Sequence, residues 1–213
     1  MSGEFSDPGR YRLRTARMEA FSDGVFAIAI TLLVLELEVP AGSGDDLLGE
    51  VVDLWPSYLA YVISFASIGA AWLGHSAITE YLSHADRWLL RLNLLLLMVV
   101  SFLPFPTKLL AEHVGDPKAE RVAATVYGCT LLLAALLQSI MWRYAVYERL
   151  VRSDAQDTEL KILTKKLTPG LAGYLAMIIL GLFLPLAAIL GYLVIALYFL
   201  IPLGLKRQHF SRA

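Results

Sequence analysis

The chain has 213 residues, 57% of them hydrophobic, and a mean hydropathy of +0.61. Soluble domains are about 45–50% apolar, so the excess reads as an integral membrane protein. A formal net charge of −1 argues against a nucleic-acid partner, and a single cysteine, Cys129, excludes an intrachain disulfide and a cysteine metal cluster.

Six apolar runs, at about 18–38, 55–79, 89–111, 122–144, 170–187 and 190–205, predict an all-α fold. The prediction is six transmembrane helices in a single domain over residues 1–213. Most runs reach the ~20 residues needed to cross ~30 Å of hydrocarbon. The last two are short and form one block from Leu167 to Leu205, with Pro185 and Gly191 supplying the turn between them. The first run also has the outline of a signal peptide, with Val39-Pro40-Ala41-Gly42-Ser43 as a cleavage region. Glu19, Asp23, Glu36 and Glu38 are out of place in such a segment, so it is read as a retained helix. Pro104 and Pro106 predict a kink in the third run, and Cys129, inside the fourth, reads as a packed thiol.

Charge placement gives an orientation. Arg10, Arg12, Arg14 and Arg17 precede the first run, whereas Asp45, Asp46, Glu50 and Asp53 follow it with no basic residue among them. Arg87 and Arg91 lie at the connection between the second and third runs. The linker at about 145–168 holds Arg149, Arg152, Lys161, Lys165 and Lys166, and Lys206, Arg207 and Arg212 fall near the end. Basic loops mark the cytoplasmic side, so both termini are predicted to be cytoplasmic. The linker has too few apolar residues for a core of its own and is expected to form a charged helix lying on the surface. Phe5-Ser6-Asp7 repeats three letters found again at 21–23, but Pro8-Gly9 follow and place that copy in a loop.

The most informative stretch is Arg17-Met18-Glu19-Ala20-Phe21-Ser22-Asp23, which runs straight into apolar sequence. A charge at the bilayer centre costs roughly 2.5–3.5 kcal/mol on insertion scales, so Asp23 needs partners or water. At 100° per residue, Arg17, Phe21, Gly24, Ile28, Thr31, Leu32 and Leu35 fall on one stripe, and Ser22 and Asp23 point away from it. The stripe can face a symmetry axis while Ser22 and Asp23 face neighbouring helices. Trp72, His75, Ser76 and Thr79 late in the second run, and Asn93 early in the third, are polar groups at the same depth. A network among them would satisfy groups where water is scarce, which ordinarily serves to glue helices together. No HExxH, GxSxG, P-loop or GxGxxG pattern is present, His75, His84, His113 and His209 lack metal-ligand spacing, and no Thr-Val-Gly-Tyr-Gly filter occurs.

Arg17-x-x-x-Phe21-Ser22-Asp23 followed by a helix rich in Ile, Leu and Thr resembles the signature of the transmembrane protein 175 family of potassium-permeable channels. Trp72-x-x-His75, Asn93 and Pro104-Phe105-Pro106 extend the likeness. The resemblance implies that helix one lines a fourfold pore and that Ile28 forms its narrowest hydrophobic constriction. Leu32 and Leu35 would be further apolar rings, and Thr31 the threonine associated with potassium preference. Arg17, Phe21, Ser22 and Asp23 would knit helix one to helices two and three, with Trp72, His75 and Asn93 as partners. It further implies a homotetramer in the bacterial inner membrane, a leak-type potassium channel needing no cofactor or resident metal, and no enzymatic activity. The rival expectations are a proton-coupled secondary transporter using Asp23 and His75 and, more remotely, a membrane-embedded enzyme on the same pair; no inverted repeat or nucleophile–base pairing supports either.

Overall fold

Apolar stretches punctuated by prolines and capping acids become eight helices in the computed structural model, which describes residues 15–38, 46–154 and 156–201. They are α1 (Thr15–Leu32), α2 (Leu47–Asp53), α3 (Trp55–Glu80), α4 (Arg87–Phe102), α5 (Pro104–His113), α6 (Pro117–Tyr147), α7 (Asp157–Gly181) and α8 (Pro185–Leu200). A 3-10 turn, Leu33–Glu36, extends α1. Among the described residues, four stretches are long and apolar enough to cross a membrane: Thr15–Glu36, Trp55–Glu80, Arg87–His113 and Pro117–Tyr147. Pro185–Leu200 is a shorter apolar helix. The arginines at 10, 12 and 14, the loop residues 39–45 with Asp45, the copy at Phe5-Ser6-Asp7, and Lys206, Arg207, His209 and Arg212 lie outside the described residues.

Side chains set the breaks. Asp46 accepts a hydrogen bond from the Gly49 amide (3.1 Å) and starts α2, a short helix within the acidic loop that the hydropathy pattern does not announce. Asp86 accepts from the Leu89 amide (2.7 Å) and starts α4, and Asp116 caps α6 in the same way. The third run divides at Leu103, where Pro104 and Pro106 supply no amide hydrogens to continue the ladder.

Three expectations are corrected. The turn between the last two helices lies at 182–184, with Pro185 in the first turn of α8. Gly191 is inside that helix, where a Cβ would collide with the Met177 sulfur, so this glycine serves close packing rather than a turn. The linker is not a separate surface helix: after a turn at 148–156, its second half is continuous with α7. It is drawn inward because Leu163 is buried beside Trp142, whose indole N–H donates to the Thr164 hydroxyl (2.8 Å). Cys129 is exposed, because the neighbouring positions of α6, Tyr127, Gly128 and Thr130, take the buried face.

Two apolar cores hold the bundle. The larger joins α1, α3, α4, α5, α6, α7 and α8 around Phe26, Ile68, Leu96, Tyr127 and Tyr192. The smaller, around Met18, Ile78, Leu89, Trp142 and Leu163, gathers the start of α1, the end of α3, the start of α4, the end of α6 and the early part of α7. At that end the α3–α4 and α6–α7 turns are tied together. The Ser83 amide donates to the Leu150 carbonyl (2.8 Å), the Arg152 amide to the Tyr81 carbonyl (2.8 Å), and the Tyr144 hydroxyl to Asp86.

Candidate functional site

Helix α1 divides by burial into two faces. Met18, Ser22, Phe26, Ala29 and, one turn on, Leu33 are buried at 3/4 spacing. Arg17, Phe21, Gly24, Ile28, Thr31, Leu32 and Leu35 are all exposed, with Ile28 at 60% and Leu35 at 61%. The stripe read from the sequence is therefore the face that the subunit leaves uncovered. The Thr31 hydroxyl donates back to the Ile28 carbonyl (2.9 Å), which satisfies it within the helix.

On the buried side the polar groups meet. Asn93 of α4 stands between α1 and α3: its carboxamide oxygen lies 2.8 Å from His75 Nε2, and its Nδ2 donates to Ser22 Oγ at 3.0 Å. An amide oxygen only accepts, so His75 carries a hydrogen on Nε2. Ser22 in turn donates to the Met18 carbonyl (2.8 Å), so the chain of donors runs one way from α3 through α4 into α1. His75, Ser22 and Asn93 are 0%, 0% and 2% exposed, which takes these bonds out of competition with water. Beside them Trp72 Nε1 donates to Asp23 Oδ1 (2.8 Å) in a more open position, so the carboxylate has a donor at the edge of the apolar run.

Five residues singled out in the sequence are thus brought together: Ser22, Asp23, Trp72, His75 and Asn93. Arg17 and Phe21 are not among them; both lie on the exposed face of α1. Ser76 and Thr79 also stay apart, with the Thr79 hydroxyl donating to the Ser76 carbonyl (3.0 Å). Sequence reasoning missed Met18, which supplies the terminal acceptor, and Phe26, whose ring centroid lies 5.5 Å from that of His75. The signal that finds them is the second 3/4 stripe, Met18-Ser22-Phe26-Ala29-Leu33, the complement of the first. At the far end of α1 the Glu36 carboxylate lies 3.7 Å from Lys108 of α5. Among the described residues no group of three His, Cys, Asp or Glu side chains is placed to hold a metal ion.

The exposed stripe of α1 borders α4, and Phe21, Val25, Ile28 and Leu32 line a shallow apolar groove with Leu94 and Met98. Chemically the site is an uncovered hydrophobic helix face whose rotation is fixed from behind by hydrogen bonds. It offers no nucleophile–base pair.

The sequence profile described as the endosomal/lysosomal potassium channel TMEM175 matches residues 17–104, which hold this whole site. A potassium channel of Chamaesiphon minutus is 43% identical over 189 residues, covering 87% of this chain and 93% of that protein. The human endosomal/lysosomal proton channel TMEM175 is 32% identical over 143 residues, 63% of this chain but 28% of that longer protein. The crystal structure of a lysosomal potassium-selective channel TMEM175 homolog from Chamaesiphon minutus superposes with a TM-score of 0.79 at 41% identity, covering 87% of this chain and 96% of that one. These relatives are ion channels and not enzymes, and the apolar helices make this a multi-pass membrane protein. The chain belongs to the TMEM175 family of potassium channels.

Proposed function

We propose that the chain is a leak-type, potassium-permeable channel assembled as a homotetramer, with α1 of each subunit lining a shared pore. The observation that carries this reading is the division of α1 into a buried face, held by the Ser22 hydrogen bonds, and an uncovered stripe whose large residues are Phe21, Ile28, Leu32 and Leu35. One helix cannot enclose a pore, so four copies around an axis are required once this face is taken as the lining. Ile28 forms the narrowest ring, Leu32 and Leu35 continue it, and Thr31 contributes to potassium preference. Such a constriction gates by dewetting rather than by stripping the ion with carbonyls. Ser22, Asp23, Trp72, His75 and Asn93 hold the rotation of α1, and Arg17 and Phe21 belong to the mouth beside them.

In this reading the single domain of residues 1–213 crosses the bacterial inner membrane six times. The crossings are α1, α3, α4 with α5, α6, the apolar part of α7, and α8, with both termini cytoplasmic and the linker at about 145–168 on that side. Potassium flux into liposomes, set against sodium flux, tests the assignment. Ile28→Asn is expected to raise leak severalfold and to narrow the potassium-to-sodium ratio; flux and ratio equal to wild type would reject Ile28 as the constriction.

A proton-coupled transporter using Asp23 and His75 is the second reading, favoured by His75 Nδ1, which is buried with no hydrogen-bond partner. Against it, Asp23 and His75 make separate bonds, to Trp72 and to Asn93. Potassium flux that requires an opposing or accompanying proton gradient would select the transporter.

A further inference from the structure

The channel reading leaves unused a cavity inside the subunit, bounded by α3, α6, α7 and α8. Its walls are small residues, Ala70, Ala71 and Gly74 of α3 and Ala134 and Ala135 of α6, backed by the Phe199 ring. In membranes such residues ordinarily let helices close on one another; here they leave about 60 Å³ open to the centres of water-sized molecules, where one water needs ~10–15 Å³.

Three polar side chains line it. Gln138, 6% exposed, spends its Nε2 on the Ala71 carbonyl (2.6 Å), while its Oε1 accepts from no described residue. That oxygen sits 3.0 Å from where a Gly74 Cβ would stand. Tyr174 is 7% exposed, and its hydroxyl has no hydrogen-bond partner among the described residues. Ser67 Oγ accepts from the Tyr127 hydroxyl at 3.4 Å and keeps its own hydrogen. Polar groups that edge a cavity ordinarily pair with its contents, so a spare acceptor and two spare donors around one apolar cavity mark where a bound molecule would pair. No lining residue is acidic, basic or histidine, so that molecule is uncharged.

We propose that this cavity binds a small neutral amphiphile, a hydroxyl group with a short alkyl chain, reaching the protein from the lipid. The hydroxyl accepts from Tyr174 and donates to Gln138 Oε1, and the chain lies against the alanines. Ala71 and Gly74 alternate along α3 with Trp72 and His75, so an occupant bears on the turn that holds α1. This last consequence rests on the channel reading.

The test uses the full chain in liposomes and a propanol carrying a photoreactive diazirine, small enough for the cavity, with adducts mapped by mass spectrometry. Adducts are expected on the peptides around Gly74 and Tyr174, competed by excess plain propanol. Ala134→Leu, which fills the cavity, and Tyr174→Phe, which removes only the donor, should each cut that labelling at least fivefold and leave labelling near the exposed Val194 unchanged. Adducts confined to lipid-facing positions, or equal in wild type and both variants, would overturn the site; a cavity that holds only water gives this outcome. In the same liposomes propanol should change wild-type potassium flux at least twofold and leave the Ala134→Leu protein unaffected. Cavity labelling without a change in flux would overturn the link to α1. Wild type without any potassium flux would count against the channel reading and leave the labelling result standing.

Discussion

Asn93 touches both helices that flank it, and its side chain is used from both ends. The oxygen takes the His75 hydrogen and the amide nitrogen gives to Ser22. Asn93→Ala strips the buried His75 N–H of its acceptor while His75 Nδ1 already has no partner. An unsatisfied buried group costs about 1–3 kcal/mol, so the variant should unfold at lower temperature in detergent; a melting point equal to wild type would show that the network adds nothing to stability. Asp23 is expected to behave differently. Asp23→Asn retains an oxygen for the Trp72 indole and should assemble normally, whereas Asp23→Ala loses it and should impair assembly or gating more than selectivity. These partners were legible as candidates because polar residues are few at that depth. Which of them paired was not: Trp72, His75, Ser76 and Thr79 share one spacing, yet two bond across helices and the Thr79 hydroxyl bonds back along its own.

At the scale of elements, helix approach is set by where side chains are missing. Gly128 of α6 faces α7 and α8, where an added methyl would strike the Tyr192 hydroxyl and come within 2.8 Å of Ile178. Tyr192 is fully buried and donates to the Ala124 carbonyl (3.2 Å), so it has no room to retreat. Gly191 of α8 faces Met177, whose unbranched thioether can swing aside. Gly128→Ala is therefore expected to destabilise by about 1–3 kcal/mol, the usual range for overpacking, and Gly191→Ala by clearly less. Thermal melts of the two single variants check the order, and equal losses would refute it. Such contacts explain the misplaced turn: in sequence a glycine near a proline reads as a bend, and only the neighbouring helix reveals that the glycine is a packing notch.

For the whole molecule, the uncovered face of α1 is the surface that the proposed shared pore assigns to other copies of the chain. The exposed stripe at Phe21, Ile28, Leu32 and Leu35 is continuous with exposed Leu94 and Met98 of α4. Lipid could cover it, but a pore requires that other copies do. Native mass measurement in detergent should give four times the 23.5 kDa of one chain; a monomer that still conducts potassium would overturn the shared pore. Stripping α1 of its bracket with Asn93→Ala is expected to weaken this assembly as well, because the face presented to the neighbours then loses its fixed rotation.

The membrane setting, the all-helical class, the break at the prolines after Leu103, and the separation of Ser22 and Asp23 from the Ile28 stripe of α1 were all legible in the sequence. Those properties follow from hydropathy, proline chemistry and a 3.6-residue period, all local to the chain. Only the fold settled that Asn93 links His75 to Ser22, that Arg17 and Phe21 stay outside this group, that the charged linker is drawn into α7 by Trp142, and that an apolar cavity edged by Gln138 and Tyr174 remains between α3 and α7. Each of these depends on which side chains from distant segments meet, and a period along one helix carries no information about the identity of its neighbour.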